Sequence, residues 1–293
     1  MRQKQLLLVL VFMTAVGGAS AQIKGIDPTL LGKATAGDAQ SEYRVGQAYA
    51  LGKGVAQDYE QAAEWYQKAA EQGVAQAQLE LGLLFHSGQG VAQSDAQAAV
   101  WYRRAAEQGV AQAELNLGVL YDHGEGVPQD YAQAAAWYRK AALLDVAEAQ
   151  FNLGSLFERG QGVAQDYAQA ADLYRRAAEQ GNSSAQFNLA LLYDNGQGVG
   201  QDYAQAAAWY NKAAEQGVAR AQYNLGSMFA QGQGVPVNLA EAYFWLDLAA
   251  NSWNGSRQQQ AIKARDSVAA RLSPADLFAA QQRSAKWVAE HRK

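Results

Sequence analysis

Residues 111–146 read AQAELNLGVLYDHGEGVPQDYAQAAAWYRKAALLDV, and the same pattern returns every 36 residues along the chain. Its Gly118 belongs to a ladder of Gly46, Gly82, Gly118, Gly154, Ala190 and Gly226. A second ladder keeps the step, as Gly52-Lys53-Gly54-Val55, Gly88-Gln89-Gly90-Val91, Gly124-Glu125-Gly126-Val127, and on through Gly160, Gly196 and Gly232. Six copies in fixed register fill residues 39–254. A period of roughly 20–50 residues marks a solenoid or array. In such a chain each unit packs only on its neighbours, and the stack offers an extended concave surface instead of one globular core. Binding is therefore expected ahead of catalysis.

Each copy divides at its Gly-x-Gly-Val. Before that point Ala113, Leu117, Leu120 and Tyr121 follow helical spacing, whereas a strand would alternate. After it, Asp130, Ala134, Trp137, Tyr138 and Ala141 return on one helical face. The second helix opens on an N-cap column of Asp58, Ser94, Asp130, Asp166, Asp202 and Asn238, side chains that accept from orphan N–H groups. Three residues on stand Gln61, Gln97, Gln133, Gln169, Gln205 and Glu241, which predicts a capping box. Gly73, Gly109, Gly181 and Gly217 sit where a helix closes in the left-handed conformation. Each unit is thus an αα-hairpin. Glycine in the Gly46 column lies mid-helix, at a cost of roughly 1 kcal/mol relative to Ala. Since Ala190 occupies the fifth place, the requirement reads as smallness, with Ala pairs such as Ala69-Ala70 as expected neighbours.

The flanks differ from the array. Arg2 and Lys4, the apolar run Leu6 to Val16, and Ala19-Ser20-Ala21 form a secretory leader pattern over residues 1–21. The run is too short for a bilayer span of about 20 residues, so the expected mature protein is exported, periplasmic or secreted, with no membrane insertion after cleavage. Residues 22–38 are expected to cap the N-terminal end and 255–293 to form a C-terminal helical cap. The chain has no Cys, which excludes disulfides and thiolate metal sites. Residues 22–254 carry 14 basic and 25 acidic groups, net −11, whereas 255–293 carry eight basic and three acidic, net +5. An acidic array repels phosphate backbones, so nucleic acid is not an expected partner.

The unit resembles the Sel-one-like repeat, a relative of the tetratricopeptide repeat. The second copy carries that pattern in Ala77, Leu81-Gly82, Phe85, Gly88, Gly90-Val91, Ala98, Trp101-Tyr102 and Ala105-Ala106. Departures are local: Ser94 for Asp, Leu173 for Trp, Ala190 for Gly and Asp145 for the terminal Gly, with the last copy drifting most. Ser273, Pro274 and Trp287 resemble the helices that close bacterial members. The resemblance implies an all-α, right-handed superhelix of helix pairs serving as adaptor or scaffold; the chain itself is expected to be a monomer. For exported members it implies envelope signalling or assembly, or engagement of a host molecule. Penicillin binding or β-lactamase activity, credited to cysteine-rich members, is not carried over to a chain without Cys.

Candidate partner-binding residues lie on the first helix, opposite its apolar stripe. One column reads Arg44, Glu80, Asn116, Asn152, Asn188 and Asn224. As a ladder, these Asn side chains would hydrogen-bond an extended peptide; as a structural column, they would bond locally or to the next unit. Near the helix end Asp122, His123, Glu158 and Arg159 vary freely against a near-constant framework. The Trp and Tyr columns (Trp65, Trp101, Trp137, Trp209 and Trp245; Tyr66, Tyr102 and Tyr138) read as core packing before a glycan platform. His86, Asp122 and His123 have no fixed ligand spacing, so no metal is expected. No Ser has a Lys three positions on, and the Gly-x-Gly loops lack the Lys and Ser/Thr of a phosphate loop. No catalytic residue and no cofactor is expected. The leading expectation is a non-enzymatic scaffold holding a protein or peptide in its groove; a secreted host-directed factor comes second and a cell-wall hydrolase third.

Overall fold

The computed structural model describes residues 25–291, so the leader pattern of residues 1–21 lies outside the described residues. A short helix α1 (Pro28–Thr35) precedes the units. These follow as α2 (Ala39–Leu51) with α3 (Tyr59–Glu71), α4 (Ala75–Ser87) with α5 (Asp95–Glu107), and α6 (Ala111–His123) with α7 (Tyr131–Leu143). The next three are α8 (Ala147–Arg159) with α9 (Tyr167–Glu179), α10 (Ser183–Asn195) with α11 (Tyr203–Glu215), and α12 (Ala219–Gln231) with α13 (Leu239–Ser252). Helices α14 (Gly255–Ala269) and α15 (Pro274–His291) complete the chain. From α1 to α14 each helix packs on its neighbours in sequence, giving a right-handed αα-solenoid.

The turns are built as the columns predict, with one correction. Asp130 Oδ1 accepts from Ala132 N at 2.9 Å and Gln133 N at 3.0 Å. The reciprocal half of the capping box is not made, because the N–H of Asp130 already donates to the Tyr121 carbonyl at 2.9 Å, as Asp202 does to Tyr193 at 3.0 Å. At the far end of α3, Val74 N donates to Ala69 O and Gly73 N to Ala70 O, both at 3.1 Å, a Schellman closure with Gly73 at positive φ. Asp145 takes that place in the third unit at φ 58°, a left-handed conformation Asp tolerates better than most residues.

Packing explains the small-residue column differently from the expectation. A Cβ on Gly118 would stand 2.6 Å from Cδ1 of Tyr138, and one on Gly82 equally close to Tyr102. The neighbour is the buried Tyr ring of the same unit's second helix, while the Ala pairs let the helices close around it. In the loop, a Cβ on Gly126 (φ +68°) would fall 2.2 Å from the Asp95 carbonyl carbon of the preceding unit. That glycine locks each loop onto the helix behind it.

A polar seam crosses the apolar core. The Gln78 side-chain amide donates to the Ala70 carbonyl of the preceding unit at 3.0 Å, and its oxygen accepts from Gln108 at 2.8 Å. Gln150 and Gln186 repeat both bonds, with Gln180 and Gln216 as donors. These side chains are at most 4% exposed, so the paired bonds satisfy amides that would otherwise be costly to bury. The same rung starts a seventh unit, since Gln258 of α14 donates to Ala250 O at 3.2 Å. Its partner helix is missing. Helix α15 turns back over α13 instead, through Ser284 Oγ to Asp247 Oδ2 at 2.7 Å and an Arg283–Glu241 ion pair. Exposed Gln259, Lys263 and Asp266 give the end a polar face, as a terminal cap needs.

Candidate functional site

The face opposite each first helix's apolar stripe is organised by phenols rising from below. Tyr138, Tyr174 and Tyr210 belong to second helices and are almost wholly buried, yet their hydroxyls emerge between successive first helices. Tyr138 donates to Asp122 Oδ2 at 3.2 Å, Tyr174 to Glu158 Oε2 at 2.5 Å, and Tyr210 to Asp194 Oδ2 at 3.4 Å. From the other side, Asn116, Asn188 and Asn224 of the following units reach the phenols of Tyr102, Tyr174 and Tyr210. Burial, reinforced at three of them by the neighbouring carboxylate, pushes these hydroxyls far above the usual phenol range, so they remain proton donors. The result is a repeating line of carboxylate, phenol and amide along the stack.

The sequence-derived residues divide accordingly. Glu158 and Asn188 are brought together through Tyr174, whereas Asn116, Asp122 and Asn224 each reach a different phenol, and all five are half-buried. Asn116 also accepts from Gln112 at 2.9 Å. Asn152 is half-buried in the same column. His123 and Arg159 are exposed at the helix ends, where Arg159 Nε donates to its own Ser155 carbonyl at 3.1 Å. His86 turns away to α5, its Nδ1 2.7 Å from Asp95 Oδ1. Among the described residues no three His, Asp or Glu side chains gather as a metal site. Glu80, in the second unit's place for Asn, is half-buried beside Tyr66 and Tyr102, and burial raises its carboxyl above the ordinary range; Glu148 behaves likewise.

Three features escaped the sequence reading. The Tyr column was read only as core, and its hydroxyls are what tie one unit's face to the next. The buried Gln seam was readable as a column of Glu42, Gln78, Glu114, Gln150, Gln186 and Gln222, but burial of a polar column has no signature in spacing alone. Gln129, with its equivalents, clamps the loop by donating to the Asp122 carbonyl at 2.7 Å. The Trp column is half core and half surface: Trp101 and Trp245 are buried, while Trp65, Trp137 and Trp209 are half-exposed with a Lys ammonium 3.9–4.2 Å from each ring centre.

Comparison with known proteins agrees with this fold. The Sel1 repeat family matches residues 39–74, 75–110, 111–146, 147–182, 183–218 and 219–252. Among solved structures, a protective antigen of uropathogenic Escherichia coli with an SLR fold is 33% identical, with a TM-score of 0.78 over 91% of this chain. This chain spans 56% of that protein. A Sel1 repeat protein from Oxalobacter formigenes is 34% identical with a TM-score of 0.67, covering 76% of this chain and 88% of its own. No curated protein matches the chain.

Proposed function

Because this chain belongs to the Sel1 repeat family, whose members are generally protein-interaction scaffolds, we propose that it is a non-enzymatic scaffold holding an extended protein or peptide segment along its first helices. The carrying observation is the line of half-buried carboxylates and amides, repeated through the third, fourth and fifth units and anchored by phenols that cannot ionise at physiological pH. An extended backbone presents N–H and C=O groups in alternation, and Asn supplies a partner for each. The carboxylates Asp122 and Glu158 add acceptors for donor side chains, and His123 and Arg159 form the rim. The leader pattern supports an envelope location, periplasmic or secreted.

Asn152→Ala is the cleanest test, with Asn188→Ala beside it. Capture of partner from envelope extracts by the double variant is expected to fall about a hundredfold or more, since each lost buried hydrogen bond costs roughly 1–3 kcal/mol. Asn188→Ala alone should also lower stability by about 1 kcal/mol, because that amide reaches Tyr174 of the unit before it. Unchanged capture by both would remove the groove as the binding surface. A second reading, a secreted factor engaging a host molecule, is favoured by the likeness to a protective antigen. Recovery of the mature protein from culture medium instead of the periplasm would select it.

A further inference from the structure

One junction opens into a cleft between the second helix of one unit, α5, and the helices and loop of the next, α6 and α7. Between the second and third units this cleft has a volume of about 560 Å³. Tyr121, Pro128 and Trp137 supply its apolar surfaces, and Arg103, Glu107 and Asp130 its charged groups. We propose that this cleft and its counterpart between the fourth and fifth units bind neutral saccharide, independently of the peptide groove.

The sequence columns single out these two junctions. Arg, Tyr and Trp coincide as Arg103, Tyr121 and Trp137, and again as Arg175, Tyr193 and Trp209. At the junction between them, Phe157 and Leu173 replace Tyr and Trp. The first junction has Gln67 and Phe85, the last Asn211 and Phe229. In both complete sets the guanidinium donates to the phenol across the junction: Arg103 to Tyr121, and Arg175 to Tyr193 at 3.3 Å. Arg103 thereby ties the phenol in place and keeps further N–H donors.

The chemistry fits a sugar ring. A pyranose has an apolar C–H face, which packs on indole, phenol and proline, and an equatorial rim of hydroxyls that both donate and accept. Asp130 commits one carboxylate oxygen to the α7 cap, at 2.9 and 3.0 Å, and the other accepts no hydrogen bond within the described residues. Gln129 commits its amide nitrogen to Asp122 O and Tyr131 OH, leaving its oxygen. Arg103 and Gln133 bring donors. Arg103, and Lys140 over the Trp137 ring, balance the Glu107 and Asp130 carboxylates, so no net positive charge draws a phosphate- or sulfate-bearing ligand. The second set has Gly200 where the first has Pro128, so it keeps the indole and phenol surfaces only; two such sites, two units apart along one stack, let a single polysaccharide chain engage both, which raises avidity without any new contact.

The test titrates the full chain with soluble cello-, chito- and malto-oligosaccharides, read by calorimetry and tryptophan fluorescence. One series is expected to bind at two sites per chain, more tightly at the one that holds Pro128. Tyr121→Phe with Trp137→Leu installs the residues that already pack at Phe157 and Leu173, so the fold is retained by circular dichroism. That variant should lose one site of two, with affinity there falling about tenfold or more, and the matching Tyr193→Phe, Trp209→Leu pair should remove the other. Asn152→Ala should leave both sites intact, which separates this result from failure of the groove. No binding by any of the three series, unaltered stoichiometry in the variants, or preference for a sulfated polysaccharide or a proline-rich peptide would each overturn the proposal.

Discussion

The third and fifth units share a backbone and differ at their seams. In the fifth, Gln186 donates to Ala178 O at 3.1 Å and accepts from Gln216 at 2.8 Å. In the third, Glu114 fills the same place, 4% exposed, and Leu144 stands where the donating Gln would be, its side chain half in solvent. Glu114 Oε2 is left with no partner, as is Gln222 Oε1 in the sixth unit, where the donor's position is Ser252. A neutral carboxyl can donate as the Gln amide does, whereas a carboxylate would face a carbonyl with no donor. Burial accordingly raises the Glu114 carboxyl, against a smaller opposing pull from Lys140 of α7. The helices form identically in both units. The apolar and turn columns therefore set the fold, and the seam sets how firmly each junction is held.

The largest effect is expected where the two units differ in volume. Gly118→Val should cost about 3 kcal/mol, because a branched side chain must displace the Tyr138 ring. Gly118→Ala should cost about 1 kcal/mol: its Cβ meets the same ring at 2.6 Å, yet Ala190 shows that the packing can adjust. Urea unfolding of both variants separates them, and equal losses would mean that backbone conformation, not space, governs the site.

Exchanging the seams should come next. Glu114→Gln with Leu144→Gln should stabilise by about 1–2 kcal/mol at neutral pH, and Gln186→Glu with Gln216→Leu should destabilise by a similar amount. If neither exchange moved the midpoint, the seam bonds would carry no net stability.

A pH series sharpens the same contrast. The folded-state carboxyl of Glu114 is raised above its unfolded value, so its contribution is fully present below the unfolded value of about 4.3 and is lost as pH rises through the folded one. The stability gap between Glu114→Gln and wild type should widen on going from acid to neutral pH and then level off. Glu80 and Glu148 shift in the same direction but are common to both proteins and cancel in the difference. A gap independent of pH would show that Glu114 does not change charge on folding.

The smallest effect is expected at Asp145. Replacing it with Gly relieves a left-handed backbone at φ 58° but removes the exposed ion pair to Arg176 at 2.9 Å. The two nearly cancel, and a net change beyond about 0.5 kcal/mol in thermal or urea unfolding would contradict that balance.

Most of the architecture was legible because it rests on local rules. Helix caps, closing glycines and the 36-residue step each act within one unit, and Asp130 or Gly73 announces its role by its type and place. The capping box was over-read because the competing acceptor, the Tyr121 carbonyl, lies nine residues back across a loop. Gly118 was correctly read as small, but its neighbour was misassigned, since spacing tells which face is buried and not which side chain fills it. The Asn column stayed ambiguous in sequence for a related reason: its partners are hydroxyls of residues whose rings look purely structural.

The loop lock at Gly126, the Gln seam and the Asn–Tyr reach share one property: each extends a single unit backward. No contact depends on how many units lie beyond. A gene encoding such a chain can lose or duplicate 36 codons within the array and rejoin surfaces that already fit, so length can change by inheritance in whole steps. An insertion of any other size would place every later glycine against the wrong helix. Reach and the number of binding positions can thus evolve while the unit itself stays fixed.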